Sequence, residues 1–428
     1  MRLKVRLIYG ILYVLAIKES FMDRNYDCIV IGAGAAGMFA AIHAAINGYK
    51  TAIIEPNEKV GRKLAITGKG RCNVTNNCDA DTVMKNVPRN PRFLYSALSM
   101  LSPADVMAFF ENEGVRLKTE RGNRVFPVSD KAYDIVDALF FKMKREGVTL
   151  IRARALDISV ADGCVSGVVT DKGELSAYKV ILATGGMSYP VTGSTGDGYK
   201  LAEKLGHTVT PLKPSLVPIE TKEDCAQMMG LSLKNSVLSV RDNSKNKVVF
   251  SELGEMIFTH FGVSGPLVLS ASSRMADISD GNYTLSIDLK PALSLEQLDS
   301  RIQRDFLERK NMQLDNALRK LLPEKIILPL LKKCGIDPEK QCNSVTREER
   351  LALVKAVKGF SLTPTAYRPI SEAIITDGGV SVKEINPKTM ESKIVGGLHF
   401  AGEIIDVTGF TGGFNLQIAF STGYAAAQ

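Results

Sequence analysis

The sequence lacks the residue patterns that mark several common classes of protein. Its seven cysteines stand apart at positions 28, 72, 78, 164, 225, 334 and 342, without a Cys-x-x-Cys pair, and its four histidines are not spaced as metal ligands. We therefore expect reduced thiols, a cytoplasmic protein and no metal site, zinc and iron–sulfur sites included. The apolar run at residues 7–17 has only eleven residues, too few to cross a bilayer, so no stable membrane insertion is expected.

A concentrated stripe of positive charge is also missing. The formal net charge is +8 and the isoelectric point is about 9.0, but the basic residues are spread along the chain and are not interleaved with aromatic residues. The charge is compatible with an anionic small-molecule ligand, but we interpret it as an ordinary solvated surface. The sequence therefore predicts no nucleic-acid partner.

A chain of 428 residues with 45% hydrophobic residues can bury a large core and exceeds the size of one compact domain. Residues 1–21 join a basic start to an apolar run, as a signal peptide does, but no small-x-small cleavage site follows. We interpret residues 1–21 as an upstream extension before a start near Met22, with a membrane anchor as the alternative. This extension carries no cofactor motif.

The glycine-rich turn at residues 32–37 is the first clear functional motif. It follows a short apolar run ending at Ile31 and precedes a stretch of small apolar residues, which indicates a strand, a tight turn and a helix. Such a turn binds the pyrophosphate of a dinucleotide at the start of the helix. A second apolar run ends at Glu55, whose carboxylate is placed to accept hydrogen bonds from both ribose hydroxyls. The predicted contacts are Gly32, Gly34, Ala35, Ala36, Gly37 and Glu55.

The segment from residue 58 to 77 reads as a loop rich in glycine, basic and amide residues. Its place directly after the ribose carboxylate indicates that it wraps the cofactor, and the alternative is a solvated basic loop. Cations and backbone amides suit a pyrophosphate, while amide side chains suit the polar edge of a flavin. The predicted contacts are Arg62, Lys63, Gly70, Arg71, Cys72 and Asn73.

Two later segments return to the same site. A buried strand ends at Thr184 and Gly185, whose small size admits a cofactor closely. Near the end of the chain another strand ends in an acid, and a glycine-rich turn starts an apolar helix, an arrangement that can hold a ribityl chain and a flavin oxygen. The predicted contacts there are Gly402, Glu403, Gly413, Asn415 and Leu416. Because no second Gly-x-Gly-x-x-Gly occurs, a separate NAD-binding Rossmann domain is not expected.

These patterns predict an α/β protein whose Rossmann-like cofactor-binding domain is discontinuous, comprising residues 22–213 and 365–428. Short alternating apolar runs predict a β-rich inserted domain at 214–290. The charged, amphipathic stretch at 291–364 predicts a helical lobe that is broken near Pro323, Pro329 and Pro338.

Four of these segments together resemble the HI0933-like flavoproteins, a branch of the two-dinucleotide-binding-domain flavoproteins. They are residues 32–55, residues 61–76, Phe258–His260 with Ser264–Pro266, and residues 378–417. The resemblance implies FAD as the cofactor and a β-barrel-like character for the inserted domain. Activities assigned within the family include aminoacetone oxidation and the reduction of bile-acid double bonds conjugated to a 3-ketone.

Three functions follow as hypotheses. The first is FAD-dependent reduction of a C=C bond conjugated to a ketone, with NAD(P)H as donor and a small-molecule substrate such as an anionic steroid or its CoA thioester. In this reaction Tyr189 is the first candidate for the proton donor and His260 the second, and a buried structural hydrogen bond is the alternative for each. The other two are an aminoacetone-type amine oxidase that uses oxygen, and a flavin-containing protein that binds or modifies RNA. Sequence alone does not decide the oligomeric state.

Overall fold

The computed structural model describes residues 26–279 and 281–428. The chain divides into two units: the first extends to Lys213 and resumes at Ile375, and the second comprises Pro214–Ile374. The prediction for residues 1–21 lies outside the described residues. The predicted domain boundaries, including the division of the insertion into a β-rich domain and a helical lobe, stay predictions.

A five-stranded parallel sheet forms the centre of the first unit. Its strands, in spatial order, are Leu398–Phe400, Lys179–Leu182, Cys28–Ile31, Thr51–Ile54 and Thr149–Ile151. The middle three strands are buried along their whole length, which explains why their sequences are nearly continuous apolar runs. Because all five strands are parallel, their carboxyl ends meet at one edge of the sheet, where ligands bind in such folds.

Two small antiparallel sheets complete the strands of this region. One contains Thr75–Asn76, Arg124–Pro127 and Leu117–Glu120, and the other is a meander of Ala155–Ala161, Cys164–Thr170 and Gly173–Ser176. Short strands also occur at Lys213–Ser215 and Ile375–Asp377. The α-helices of the first unit are Ala35–Ile46, Arg62–Gly70, Ala80–Lys85, Tyr95–Met100, Pro103–Asn112, Ala132–Arg145, Asp197–Lys204 and Phe414–Ala427.

Two local predictions in this unit were wrong. The segment predicted as a loop after Glu55 contains the helix Arg62–Gly70, whose buried Leu64 and Ala65 are covered by the core, although its backbone leaves helical geometry from Thr67 to Lys69. The sequence also predicts one strand at residues 150–158, where the structure has two strands. Its first part joins the parallel sheet and its second part joins the meander, and apolar patterning alone does not reveal such a change of sheet.

The second unit contains a seven-stranded antiparallel sheet. In spatial order its strands are Phe360–Leu362, Tyr283–Asp288, Ser232–Asp242, Lys247–Phe258, Gly262–Ser264, Ile219–Thr221 and Pro364–Tyr367. The first and last strands of this order are separated in the chain by Thr363 alone, so the two edges of the sheet are brought together and the sheet is strongly curved. This arrangement agrees with the barrel-like character implied by the family resemblance.

The α-helices of the second unit are Pro266–Ser272, Leu295–Glu308, Leu314–Leu318, Glu324–Cys334 and Arg347–Lys358. Pro323 precedes a helix as predicted, but the predicted break at Pro329 was wrong, because Pro329 lies inside the helix Glu324–Cys334. Four of its neighbours on that helix, Ile326, Ile327, Leu330 and Leu331, are buried in the core of the unit, and this packing retains the helix despite one missing N–H donor.

A buried polar network fixes the last helix of the first unit. Gln417 is fully buried; its amide oxygen accepts from the Thr75 hydroxyl at 2.6 Å, and its amide nitrogen donates to the Leu101 carbonyl at 3.1 Å and to Ser421 Oγ at 2.9 Å. Ser421 Oγ donates to the same carbonyl at 2.8 Å. Thr75 and Leu101 come from two separate parts of the chain, so the network links the last helix to the end of the cofactor loop and to the segment before the helix Pro103–Asn112.

Across residues 26–279 and 281–428, no single helix is long and apolar enough to span a membrane. One bent pair of helices, Pro91–Met100 with Pro103–Asn112, reaches the required length and composition only when the two are taken together.

We predict that Gln417→Leu lowers the free energy of unfolding by about 1–3 kcal/mol, because the buried Thr75 hydroxyl loses its acceptor. Urea unfolding followed by flavin release measures this change. Gln428→Leu is the matched control, since Gln428 is exposed, and its effect should stay within about 0.5 kcal/mol. Equal midpoints for the two variants would contradict a stabilising role for the network.

Candidate cofactor and active site

The three glycines of the glycine-rich turn differ in the space around them. A side chain at Gly32, where φ is +102°, would lie 2.7 Å from the Ala183 carbonyl oxygen, and one at Gly37 would overlap the Gly32 carbonyl. Gly34 is different, because a Cβ atom there would meet no other atom within 4 Å. Gly34 caps the helix Ala35–Ile46 without a side-chain hydrogen bond, and no acid occupies the first helical turn. The start of this helix is therefore open to an anion, as the motif predicts.

Glu55 lies at the end of its strand, as predicted, and is 8% exposed. One carboxylate oxygen accepts from the Ala33 backbone N–H at 3.0 Å, and the other accepts from the backbone and side-chain N–H groups of Asn57 at 2.9 and 2.6 Å. Glu55 thus ties the glycine-rich turn to the end of the second strand. Its carboxylate retains acceptor capacity beyond these bonds, so its contact with a ribose stays a prediction.

Lys63 and Glu403, both predicted as cofactor contacts, form an ion pair with each other. Lys63 Nζ lies 2.7 Å from Glu403 Oε2 and donates to Ser188 Oγ at 2.6 Å. The other oxygen of Glu403 accepts from the Thr376 N–H at 2.8 Å. Each charged side chain is about one-fifth exposed, at 23% and 21%. The pair therefore joins four distant segments at the carboxyl edge of the sheet.

The remaining members of the cofactor loop make varied contacts. Arg62 donates to Asn57 Oδ1 at 2.6 Å, while Arg71 contacts Glu120 and donates to Asp130 at 2.7 Å. Burial raises the pKa of Cys72 to about 12, so this side chain is a neutral thiol at neutral pH. Asn73 Oδ1 is buried without a hydrogen-bond partner among the described residues. Gly70 has open space where a side chain would be.

The later predicted contacts are placed at the same edge. Thr184 packs against Gly198, and its hydroxyl is buried without a partner in the described part of the chain. Gly185 has a left-handed φ of +74°, and Gly402 donates its N–H to Thr422 Oγ1 at 2.9 Å. Gly413, at φ +96°, touches the backbone of Thr75, so no side chain fits there.

Asn415 and Leu416 lie in the first turn of the last helix. The amide of Asn415 accepts from the Gly409 N–H and donates to the Gly409 carbonyl, both at 2.8 Å. Asn415 therefore closes the turn that precedes the helix. This helix also begins without a side-chain cap or an acid in its first turn, so its N–H groups are free to hold a ligand oxygen.

An acidic cluster near the site was missed by sequence reasoning. Asp406 is buried, and burial raises the pKa of its carboxyl, while Arg89 Nε lies 2.6 Å from Asp406 Oδ1. Arg89 also lies 3.7 Å from Asp377 Oδ2, and Asp377 accepts from the Thr408 hydroxyl at 2.9 Å. Arg89 is separated from both acids by about 300 positions, so no local spacing could reveal the cluster. Ser188 and Thr376 were missed for the same reason.

Tyr189, the first candidate proton donor, is half-buried and has a left-handed backbone with φ of +51°. Its carbonyl accepts from the N–H and hydroxyl of Thr192, which fixes the turn. The phenol hydroxyl has no hydrogen-bond partner within residues 26–279 and 281–428. Tyr189 directly follows Ser188, which contacts Lys63, so the ion pair holds the segment that carries this phenol.

His260, the second candidate, lies in the second unit. It is exposed in the tight turn between Lys247–Phe258 and Gly262–Ser264, closed by the Thr259 N–H and the Gly262 carbonyl at 2.8 Å. Its ring meets Phe261 edge-on with centroids 5.0 Å apart, and the guanidinium of Arg368 stacks on Phe261 at 4.6 Å. Arg368 is in turn held by Glu220 and Glu372. The turn is therefore a fixed support for an exposed imidazole.

The first unit fits an anionic dinucleotide on observations of its own. Two helices, Ala35–Ile46 and Phe414–Ala427, start at glycines without a cap, open space lies beside Gly34, and Asn73 has an unpartnered buried oxygen. Uncapped helix starts favour phosphate oxygens, and a free amide oxygen favours a ring N–H. Together with the parallel sheet, these features define a Rossmann-type flavoprotein that binds FAD.

Comparison with known proteins assigns the chain to a family. Residues 26–428 match the HI0933-like protein Rossmann domain, and the chain belongs to this family of FAD-dependent oxidoreductases. The family resemblance inferred from the four sequence segments is therefore confirmed.

Two relatives align over nearly their whole length. The chain is 34% identical to a ribosomal RNA dihydrouridine synthase from Escherichia coli, over 95% of this chain and 98% of the relative. It is 31% identical to a 3-dehydro-bile acid delta(4,6)-reductase from Clostridium scindens, over 93% and 97% respectively. The crystal structure of 3-ketosteroid delta1-dehydrogenase from Sterolibacterium denitrificans shares the fold, with a TM-score of 0.50, 14% identity and coverage of 94% and 99%.

We predict that Glu55→Ala weakens FAD binding by about 1.5–3 kcal/mol, because the ribose loses a charged acceptor and the glycine-rich turn loses its tie to the strand. The dissociation constant of FAD for the deflavinated protein measures the change. Glu55→Gln, which keeps an acceptor for the Ala33 N–H, should lose less. Glu58→Ala removes an exposed carboxylate three residues away and serves as the control. Unchanged affinity in Glu55→Ala would contradict the assignment of this residue to FAD.

Proposed function

We propose that this protein reduces a C=C bond conjugated to a carbonyl group, with NAD(P)H as the electron donor to its FAD. The observation that carries the proposal is that two near-full-length relatives, of different substrate classes, have names that describe this same bond change. Dihydrouridine is uridine whose ring C=C bond, conjugated to a carbonyl, has been saturated. The Δ4 and Δ6 bonds of a 3-dehydro bile acid are conjugated to its 3-ketone in the same way.

We propose a uridine base in ribosomal RNA as the first candidate substrate and a 3-oxo steroid as the second. The RNA-acting relative is the more similar of the two, at 34% against 31% identity. This order reverses the expectation from charge patterning that nucleic acid is not a partner. That expectation assumed one continuous basic and aromatic stripe, and a folded chain brings together basic residues that are far apart in sequence.

When bound, FAD supplies the hydride for the β-carbon of the conjugated system, and the protein supplies orientation and a proton for the α-carbon. Tyr189 suits the second task, because its hydroxyl carries a proton and has no protein acceptor among the described residues. Lys63 and Glu403 hold Ser188 and so restrict the position of Tyr189. This restriction lowers the conformational cost of presenting the Tyr189 proton.

An anaerobic half-reaction experiment tests the proposal. The FAD-loaded protein is reduced with NADH or NADPH under argon, and its reoxidation is followed at the flavin absorbance band after addition of a uridine-containing ribosomal RNA fragment, a 3-oxo-Δ4 steroid or an aminoketone. Rapid reoxidation by RNA or steroid, with the saturated product detected by mass spectrometry, is the expected outcome. Reoxidation only by oxygen, together with flavin reduction by an amine, would replace the proposal with the oxidase hypothesis.

We predict that Tyr189→Phe leaves flavin reduction by NAD(P)H near normal and slows transfer to the conjugated substrate about 10²–10⁴-fold, the usual scale for a positioned acid. Stopped-flow measurement of each half-reaction separates the two effects. His260→Gln is the parallel variant, and a similar selective loss there would assign the proton to His260. Equal losses in both half-reactions of Tyr189→Phe would indicate a disturbed flavin site and contradict the proposed role.

A further inference from the structure

A hairpin of the first unit carries positive charge beside the cofactor site. This basic hairpin comprises residues 117–127, with strands Leu117–Glu120 and Arg124–Pro127 joined by a turn at 121–123. We propose that it binds the phosphodiester backbone of the RNA on either side of the target base. The inference rests on the proposed function and adds to it a surface that selects a polymeric substrate.

The position of the basic hairpin follows from its hydrogen bonds. The segment Thr75–Asn76 pairs with it as a third strand, and the Asn77 N–H donates to the Asn123 carbonyl at 2.7 Å. The side-chain amide of Asn76 donates to both the Gly122 and Gly412 carbonyls at 3.0 Å. Gly412 belongs to the glycine-rich turn before the last helix. One amide therefore joins the tip of the hairpin to the rim of the predicted cofactor site.

The hairpin is also anchored to the cofactor loop by charge. The guanidinium of Arg71 lies 4.1 Å from the centre of the Phe126 ring and is held by Glu120 and Asp130, and Lys118 lies 2.8 Å from Asp130. These two cations are neutralised by the two acids. Their role is structural, since they fix the hairpin against the loop that contains Arg71.

Three other cations in this region have no such acid. Arg121, Arg124 and Lys69 are exposed, and no carboxylate of the described residues lies within 4 Å of their charged groups. The Arg124 guanidinium lies 5.9 Å from the Phe126 ring centre and donates to the Arg121 carbonyl at 3.0 Å, while the neighbour of Lys69, Gly68, packs against Phe126. Two unneutralised cations thus lie on the fixed hairpin, and the third lies next to a glycine that packs against its Phe126.

Phosphodiester oxygens match this chemistry better than a carboxylate-bearing steroid does. Guanidinium groups bind phosphate through two parallel N–H donors, and contacts to phosphates position a nucleic acid while the active site reads the base. An enzyme that acts on a ring within RNA uses a single-stranded base or takes the base out of its stack, and contacts to flanking phosphates hold the strand in position. A free steroid presents one anionic group and would leave most of these cations unused.

The test uses the full chain loaded with FAD and the double substitution Arg121→Gln with Arg124→Gln. Fluorescence anisotropy measures the affinity for a labelled single-stranded ribosomal RNA fragment containing uridine, at several salt concentrations. We expect affinity at low salt to fall about tenfold or more, and the slope of log affinity against log salt to decrease in magnitude by about 1.4, the value for two phosphate contacts. FAD content and flavin reduction by NAD(P)H should not change.

The matched control is Arg304→Gln with Lys332→Gln, which removes the same charge from two exposed positions on helices of the second unit. Equal losses of affinity in the two double variants would overturn the inference, because they would show an effect of net charge alone. The inference would also be overturned if the hairpin variant bound RNA as tightly as the original protein, or if the original protein bound no RNA. It would be overturned too if the hairpin variant lost affinity for an anionic CoA thioester but not for RNA. RNA binding through the hairpin without reduction of uridine would support the surface and refute uridine as the reduced substrate.

Discussion

The site depends on a close contact between the first and last helices of the first unit. At Gly423 a side chain would lie 2.6 Å from the Ala36 carbonyl oxygen, and at Gly402 one would lie 2.8 Å from the Ala36 side chain. Only small residues allow the chain, after its long insertion, to return against the glycine-rich turn. This contact sets the strand Leu398–Phe400 at the edge of the parallel sheet and places Glu403 opposite Lys63. The cofactor site is therefore assembled from the two ends of the described chain.

Much of the fold could be predicted from the sequence, because buried parallel strands and their glycine-rich turns have strong local patterns. The first strand, the turn and the helix after it follow directly from residues 26–47, and the structure confirms them. Local pattern failed where packing decided the outcome. Pro329 remains helical because its helix is packed in the core, and the run at 150–158 divides because its two parts join different sheets.

The residues of the candidate site were predicted from local sequence, and that assignment stays a prediction, whereas their pairings could not be predicted. Lys63 and Glu403 were each identified from their neighbours in sequence, but 340 positions separate them, and nothing local indicates that they form an ion pair. Arg71 was identified as a residue that wraps the cofactor, and the structure pairs its guanidinium with Glu120 and Asp130. Arg89 and Asp406 were not identified at all, because an ion pair between distant segments leaves no periodic trace in the sequence.

These pairings change the electrostatic description of the site. Lys63, Arg71 and Arg89 are each bound to a carboxylate of the same unit, whereas Arg62 donates to the Asn57 side-chain amide. The two uncapped helix starts, with their backbone N–H groups, are then the main groups available to a pyrophosphate. Salt screens the attraction between exposed cations and phosphates more strongly than it screens the hydrogen bonds of backbone N–H groups fixed at a helix start. Arg121 and Arg124, which have no carboxylate partner among the described residues, belong to the basic hairpin, so salt would weaken binding of a polyanion at the hairpin more than binding of a pyrophosphate at the helix starts.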